Sequence, residues 1–197
     1  MFEPLTRQYA GYIFDCDGTL ADSMVVHHRA WRAALAAHGA TFDFDWVLFT
    51  SRAGMSVVAT VEALNSQFGS SLDPVAVMAR QRAEYERLLG GVKPILPVVE
   101  LAREAAAASR GVSVASGTEP SLVKRTLELL GLSDILSIVI TSEDVKAGKP
   151  APDMFLLAAE RMGVLPSDCV VFEDSMLGIE AAKRAGMDWV LVKSPAL

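Results

Sequence analysis

Five short apolar runs set the frame of this chain: Tyr12-Ile13-Phe14, Val112-Ser113-Val114-Ala115, Ile138-Val139-Ile140, Val170-Val171-Phe172 and Trp189-Val190-Leu191-Val192. Each has the length and β-branched or aromatic content of a buried strand. Between the last four lie segments with helical spacing, Glu119 to Leu130, Pro152 to Met162 and Ser175 to Ala185, closed by Gly131, Gly163 and Gly186. A glycine after the last periodic residue is the expected helix stop, because it accepts the left-handed conformation there. Strands alternating with helices of this length require right-handed βαβ crossovers. The expected fold is therefore α/β: a Rossmann-like parallel sheet with helices on both faces.

One connection is too long for a crossover. About 70 residues, from Asp22 to Lys93, separate the first strand from the helix Pro97 to Ser109 that leads into the second. The excess carries helix patterns at about Met24 to His38, Met55 to Phe68 and Pro74 to Leu89, and no convincing strand. It reads as an inserted α-helical domain at 22–93, joined by linkers near 18–23 and 90–96 to a core formed by 1–21 and 94–197. The run Ala105 to Ala108 is helix surface.

Composition excludes several classes of function. At 51% hydrophobic and 21% charged, the chain lies far from the regime of disorder. Eighteen Lys and Arg against 24 Asp and Glu give a formal charge of −6, the wrong sign for a protein that binds nucleic acid by releasing counterions. No uncharged apolar stretch approaches the roughly 18 residues of a membrane span. MFEPLTRQYAGY places an acid and a proline where a signal peptide would be basic and then apolar. Cys16 and Cys169 form no disulfide framework and stand in apolar contexts. A soluble, cytoplasmic protein with no nucleic-acid or membrane partner is the expectation.

In an open α/β sheet, ligands bind beyond the carboxyl ends of the strands. After the first strand come Asp15, Asp17, Gly18 and Thr19; after the second, Ser116, Gly117 and Thr118; after the third, Thr141, Glu143, Asp144 and then Lys149; after the fourth, Glu173, Asp174 and Ser175. Singly, such residues are ordinary turn formers and helix caps, a reading that fits Ser175 and Glu119 well, and Glu143 and Asp144 also read as solvated loop acids. Together, at four strand ends, they suit a hard cation and a phosphate. Mg2+ takes carboxylate oxygens, and hydroxyls, backbone amides and a lysine hold phosphate oxygens.

These residues also carry a family likeness. Phe14-Asp15-Cys16-Asp17-Gly18-Thr19-Leu20 with Asp22-Ser23 resembles the first signature of the haloacid dehalogenase superfamily. Ser116 in VASGT resembles the second, Lys149 in GKPAPD the third and Glu173-Asp174 in VFEDS the fourth, in the right order along nearly the whole chain. Within the superfamily the chain is similar to the β-phosphoglucomutase-like subgroup with a helical cap, and HHRAW and KPAPDMFLLAAERMGV are especially similar to bacterial fructose-1-phosphate phosphatases.

The resemblance implies a Mg2+-dependent phosphatase acting on a small phosphorylated metabolite such as fructose 1-phosphate. Asp15 would be the nucleophile that forms an aspartyl-phosphate, and Asp17 the acid and base for the leaving group and water. Mg2+ would be held by the Asp15 side chain, the Asp17 backbone carbonyl and Asp174, with Glu173 bound directly or one step removed. Ser116, Gly117 and Lys149 would hold the phosphoryl group. Asp17 excludes the dehalogenase and phosphonate-hydrolase branches, whose pattern lacks a second aspartate. Cys16, between the two acids, reads as core packing.

In the insertion, His27, Trp31 and Leu35 share one helix face. His27 is thus a packing residue or, as its match to a cap histidine implies, a residue that reaches the active site. Arg52 in SRAG is likewise either a structural arginine or the cap arginine that meets the far end of a sugar phosphate, while His28 and His38 read as surface or packing. The main alternative is β-phosphoglucomutase itself, in which a cap lysine stands four residues before an aromatic. Here Gln81 stands four before Tyr85, with Arg80 and Arg82 beside it. A non-catalytic regulator on the same scaffold would be expected to lose the nucleophile or a metal ligand, yet Asp15, Asp17, Lys149 and Asp174 are all present.

Overall fold

In the computed structural model, which describes residues 5, 7–52 and 55–193, the first apolar run is β1 (Gly11–Phe14) and a two-residue strand β2 (Ala21–Asp22) follows it. The chain then forms α1 (Met24–Ala37), α2 (Trp46–Thr50), α3 (Val57–Phe68) and α4 (Pro74–Leu88). It returns through β3 (Lys93–Pro94) and continues as α5 (Leu96–Ala107), β4 (Gly111–Ser116), α6 (Pro120–Leu129) and β5 (Ile138–Thr141). The last elements are α7 (Asp153–Met162), β6 (Cys169–Glu173), α8 (Met176–Arg184) and β7 (Asp188–Leu191). Two compact units result: the residues up to Asp22 together with those from Lys93 onward, and Ser23–Val92 between them.

The sheet unit holds five parallel strands in the order β5-β4-β1-β6-β7. From β1 the chain moves outward to β4 and β5, then crosses back to β6 on the opposite flank of β1, so the direction of travel reverses there. Right-handed crossovers place helices on opposite faces when the direction reverses, and the crevice at the reversal is where ligands bind. Side-chain alternation divides the two faces. Ile13, Ala115, Ile140, Cys169 and Val171 point into a layer made with Met154, Phe155, Ala158 and Ala159 of α7 and Ala181 and Ala182 of α8. Phe14 and Phe172, neighbours in register, stack with ring centroids 5.1 Å apart. Both cysteines are free and buried, and Cys16 packs in the interior as expected.

The helical unit has its own core of Met24, Trp31, Leu35, Phe44, Val61, Leu64 and Val77, with α1 and α3 packed on α4. Asp45, Ser56 and Asp73 cap α2, α3 and α4 with side-chain oxygens, satisfying amides that a helix start leaves unpaired. Two features lay outside the sequence expectation. α2 has five residues, too few to show a helical period. The two linkers are not independent strings: β2 and β3 pair antiparallel, Ala21 with Pro94 and Asp22 with Lys93, so Asp22 and Lys93 belong to the sheet unit. Among the described residues, no helix is long and apolar enough to cross a membrane.

Candidate active site

The order reversal puts the carboxyl ends of β1 and β6 side by side. The Asp15 amide extends their pairing by one bond, donating to the Phe172 carbonyl at 2.9 Å, and so brings Asp15 beside Glu173. From the segment between β5 and α7, Lys149 reaches in. Its Nζ donates to Asp15 Oδ1 and to Glu173 Oε2, both at 2.6 Å, and lies 5.3 Å from the centre of the Phe155 ring. All three charged groups are buried. A buried ion pair of this kind is held by mutual compensation, and deleting one member leaves the others unpaired in a poor solvent for charge.

Asp174 follows Glu173 and is partly exposed. One oxygen from each of Asp15, Glu173 and Asp174 lies within 4.8 Å of the others. Three carboxylates therefore gather where one ammonium is bonded to two of them. Burial and the facing Glu173 push Asp15 up to about 8 against the pull of Lys149. Asp174 is raised well above the ordinary carboxylate range by burial, Glu173 and Asp15. Burial alone would lower Lys149, but the two flanking carboxylates outweigh it and its affinity for the proton is raised. The surplus of negative charge and the all-oxygen donor set fit a hard divalent cation such as Mg2+, with Asp15, Glu173 and Asp174 as the side chains to hold it.

Asp17 turns elsewhere. The Thr118 hydroxyl donates to Asp17 Oδ2 at 2.7 Å, while the Thr118 amide donates to Ser116 Oγ at 3.1 Å. Ser116 ends β4 and is buried, and Gly117 next to it is exposed. Thr118 thus ties the loop after β1 to the loop after β4. Gly18, at φ 82°, makes the first of these loops possible: its amide donates to the Ala21 carbonyl at 2.8 Å in a turn that L side chains rarely enter. Sequence reasoning placed Thr118 at a strand end without giving it a role; its spacing from Ser116 was the only available signal.

The residues proposed for the inserted segment behave differently. His27 stacks on Tyr85 of α4, with centroids 4.0 Å apart and planes at 15°, and its Nδ1 is 3.4 Å from Gln81 Nε2. Trp31 and Leu35, on the same face of α1, are buried in the helical core. Arg52 Nη2 donates to Gln67 Oε1 of α3. The next two residues of SRAG, Ala53 and Gly54, lie outside the described residues. His28 meets the Phe44 carbonyl at 2.8 Å, and His38 is exposed. All these contacts lie within the helical unit.

The weaker candidates divide. Ser175 is a cap, accepting from the Gly178 amide at 3.0 Å, but its hydroxyl also donates to Glu173 Oε1 at 2.6 Å. Glu119 stands at the cap position of α6 without capping it through its side chain. Glu143 is exposed, and Asp144 accepts from the amide and hydroxyl of Thr141 at 2.9 and 3.0 Å and pairs with Arg161.

Comparison with known proteins adds to this geometry. Residues 9–186 match the family of haloacid dehalogenase-like hydrolases. The fructose-1-phosphate phosphatase YqaB of Escherichia coli is 40% identical over 189 residues, which cover 95% of this chain and 98% of that protein. A hydrolase from Pseudomonas syringae shares the fold with a TM-score of 0.82 at 27% identity, covering 92% of this chain and 83% of that one. A putative β-phosphoglucomutase from Thermotoga maritima has a TM-score of 0.67 at 28% identity, with 90% and 82% covered.

Proposed function

The chain belongs to the haloacid dehalogenase-like hydrolase family, and on that premise we propose that it is a phosphatase of small sugar phosphates, with fructose 1-phosphate the first candidate. The observation that carries this reading is the Lys149 ammonium, 2.6 Å from both Asp15 and Glu173 at the point where the strand order reverses. A phosphate monoester dianion repels an approaching carboxylate, so a nucleophilic aspartate needs positive charge beside it. Lys149 supplies part of that charge. Mg2+ held by Asp15, Glu173 and Asp174 would neutralise the phosphoryl oxygens further and orient the group for in-line attack.

The remaining chemistry belongs to the chain. An Asp15 oxygen attacks phosphorus as the ester P–O bond breaks, and protonated Asp17 delivers its proton to the departing sugar oxygen. Water then attacks the aspartyl-phosphate, Asp17 takes a proton from it, and the Asp15 O–P bond breaks to release inorganic phosphate. Ser116 and the amide of Gly117 stand at the end of β4, where they would bind the phosphoryl oxygens. The Thr118 hydroxyl, which donates to Asp17, would hold that carboxyl group in position for the transfer. Ser23–Val92 would act as the cap that selects the leaving group, through residues such as His27 and Arg52.

A mutase is the second reading, supported by the likeness to a putative β-phosphoglucomutase. Gln81 argues against it, because it offers no cation to the far end of a bisphosphate and instead lies buried against His27. One experiment separates the two: fructose 1-phosphate and, separately, β-glucose 1-phosphate with its 1,6-bisphosphate primer, followed by phosphorus NMR with Mg2+ present. Net inorganic phosphate from the first and little glucose 6-phosphate from the second are expected. Rapid isomerisation with negligible inorganic phosphate would replace phosphatase with mutase.

A further inference from the structure

The Glu173 carboxylate is over-determined. Its Oε1 accepts from the Ser175 amide at 3.1 Å and the Ser175 hydroxyl at 2.6 Å, its Oε2 accepts from Lys149 at 2.6 Å, and the residue is 1% exposed. The Ser175 hydroxyl has one proton, given to Glu173, and its lone pair receives the Gly178 amide at 3.0 Å. The same hydroxyl thus caps α8 and clamps the glutamate.

Gly178 is the third residue of α8, a position where a Glu or Gln often reaches back to close a helix start. Here the carboxylate comes instead from the end of β6 and lies over the first turn of the helix. A Cβ on Gly178 would overlap Cγ, Cδ and Oε2 of Glu173. A glutamate at a surface would swing aside. This one is buried and fixed by three donors, and because the overlap includes Cγ, rotating the carboxylate alone gives no relief.

We propose that Gly178 is a positioning residue: its bare Cα is the seat that admits the Glu173 carboxylate, and through Glu173 it fixes Lys149 and Asp15. Glycine at this place costs helix propensity, which alanine would restore. The seat is therefore maintained against the preference of its own helix. The inference deepens the phosphatase reading and rests on it for its catalytic meaning, whereas the steric relation stands on the fold alone.

The test is Gly178→Ala in three backgrounds, read by thermal unfolding and by titration with Mn2+ followed by electron paramagnetic resonance. With native Glu173, Gly178→Ala is expected to lower Tm by roughly 5 °C and weaken Mn2+ binding about tenfold. With Glu173→Gln, which keeps the outline of the side chain, the same substitution should again lower Tm. With Glu173→Ala, which empties the seat, it should raise Tm and leave Mn2+ affinity at the level of Glu173→Ala alone. If Gly178→Ala does not fold, the double variant with Glu173→Ala must be at least as stable as Glu173→Ala alone, and a double variant less stable than that single one overturns the proposal. A higher Tm and unchanged Mn2+ affinity for Gly178→Ala in the native background would also overturn it. Absence of phosphate release by the wild-type protein would instead defeat the functional reading, with the Tm cycle still deciding the seat.

Discussion

The carboxyl edge of the sheet and the helical insertion use polar residues in opposite ways. At the sheet edge, Asp15, Lys149 and Glu173 are buried charges whose bonds run to one another, and the side chains around them, Ser175 among them, bond to those charges. In the insertion, His27 and Arg52 make contacts that any helical bundle contains: a ring stacked on Tyr85 and a guanidinium on Gln67. The first arrangement is costly unless its surplus of negative charge is offset, as a bound cation would do, since uncompensated buried charge is expensive. The second is consistent with packing alone. The groups that the proposed chemistry would use are therefore concentrated in the sheet unit, and on the same proposal substrate choice would fall to the insertion.

The strongest challenge to this contrast is Asp15→Asn. Turnover should fall at least about a thousandfold, because the amide keeps the shape but is no comparable nucleophile. Circular dichroism should show an intact fold. Phosphate release near the wild-type rate would remove the sheet edge from the mechanism.

Thr118→Val tests whether the link to Asp17 matters for proton delivery. Roughly a tenfold loss is expected on a sugar phosphate, whose alkoxide needs a proton, and little loss on p-nitrophenyl phosphate, whose phenolate does not. Thr118→Ser should recover most of the loss, since it keeps the hydroxyl bonded to Asp17. Equal losses on both substrates would make Thr118 merely structural.

On the other side of the comparison, Arg52→Ala and His27→Ala should reduce kcat/KM for hexose phosphates by a few-fold to about tenfold and spare p-nitrophenyl phosphate. Steady-state kinetics on the two substrates decides the matter. Loss of the Tyr85 stack in His27→Ala should also cost about 1 kcal/mol of stability. A stability change with no change in specificity would make the insertion residues purely structural and sharpen the contrast.

The smallest effect is expected at Asp144, away from the charged cluster. The Thr141 amide, more than the Thr141 hydroxyl and Arg161, holds its carboxyl below the usual carboxylate range, against a burial contribution that would raise it. The folded value lies below the unfolded one, so the unfolded chain binds more protons in acid. The stabilisation is present above about pH 4 and disappears as pH falls through the depressed folded value. Asp144→Asn should lower Tm slightly at pH 6, with the difference from wild type closing near pH 2. A difference that persists in strong acid would mean that shape rather than charge is at work.

The parallel strands could be read from the sequence because each is a short apolar run, although only β1 and β6 are buried throughout and the edge strand β7, expected to be buried, leaves Trp189 exposed. The ribbon of β2 and β3 could not, since strands of two residues have no pattern and are defined only by each other. α2 was hidden for a similar reason, although Asp45 three residues before Leu48, whose amide it caps, carries a faint cap signal. The meeting of Asp15, Lys149, Glu173 and Asp174 was legible as motifs at strand ends, because an open sheet brings such ends together whatever lies between them. The value of Gly178 was not legible. Helical glycine announces only a tolerated weakness, and what fills the missing Cβ comes from a different element.

The pairing of β2 with β3 gives the protein a modular character. Ala21 faces Pro94 and Asp22 faces Lys93, so the backbone leaves the sheet unit and re-enters it at adjacent ladder positions. To the sheet, some 70 intervening residues amount to the tip of a hairpin. Closing so long a loop adds little entropy beyond a short one, because the cost grows only with the logarithm of length. Exchange of Ser23–Val92 for another insert, or for a short turn, asks only that the new segment begin and end side by side. The ribbon is in this sense a socket, which accepts a new insert without reopening the sheet beneath it.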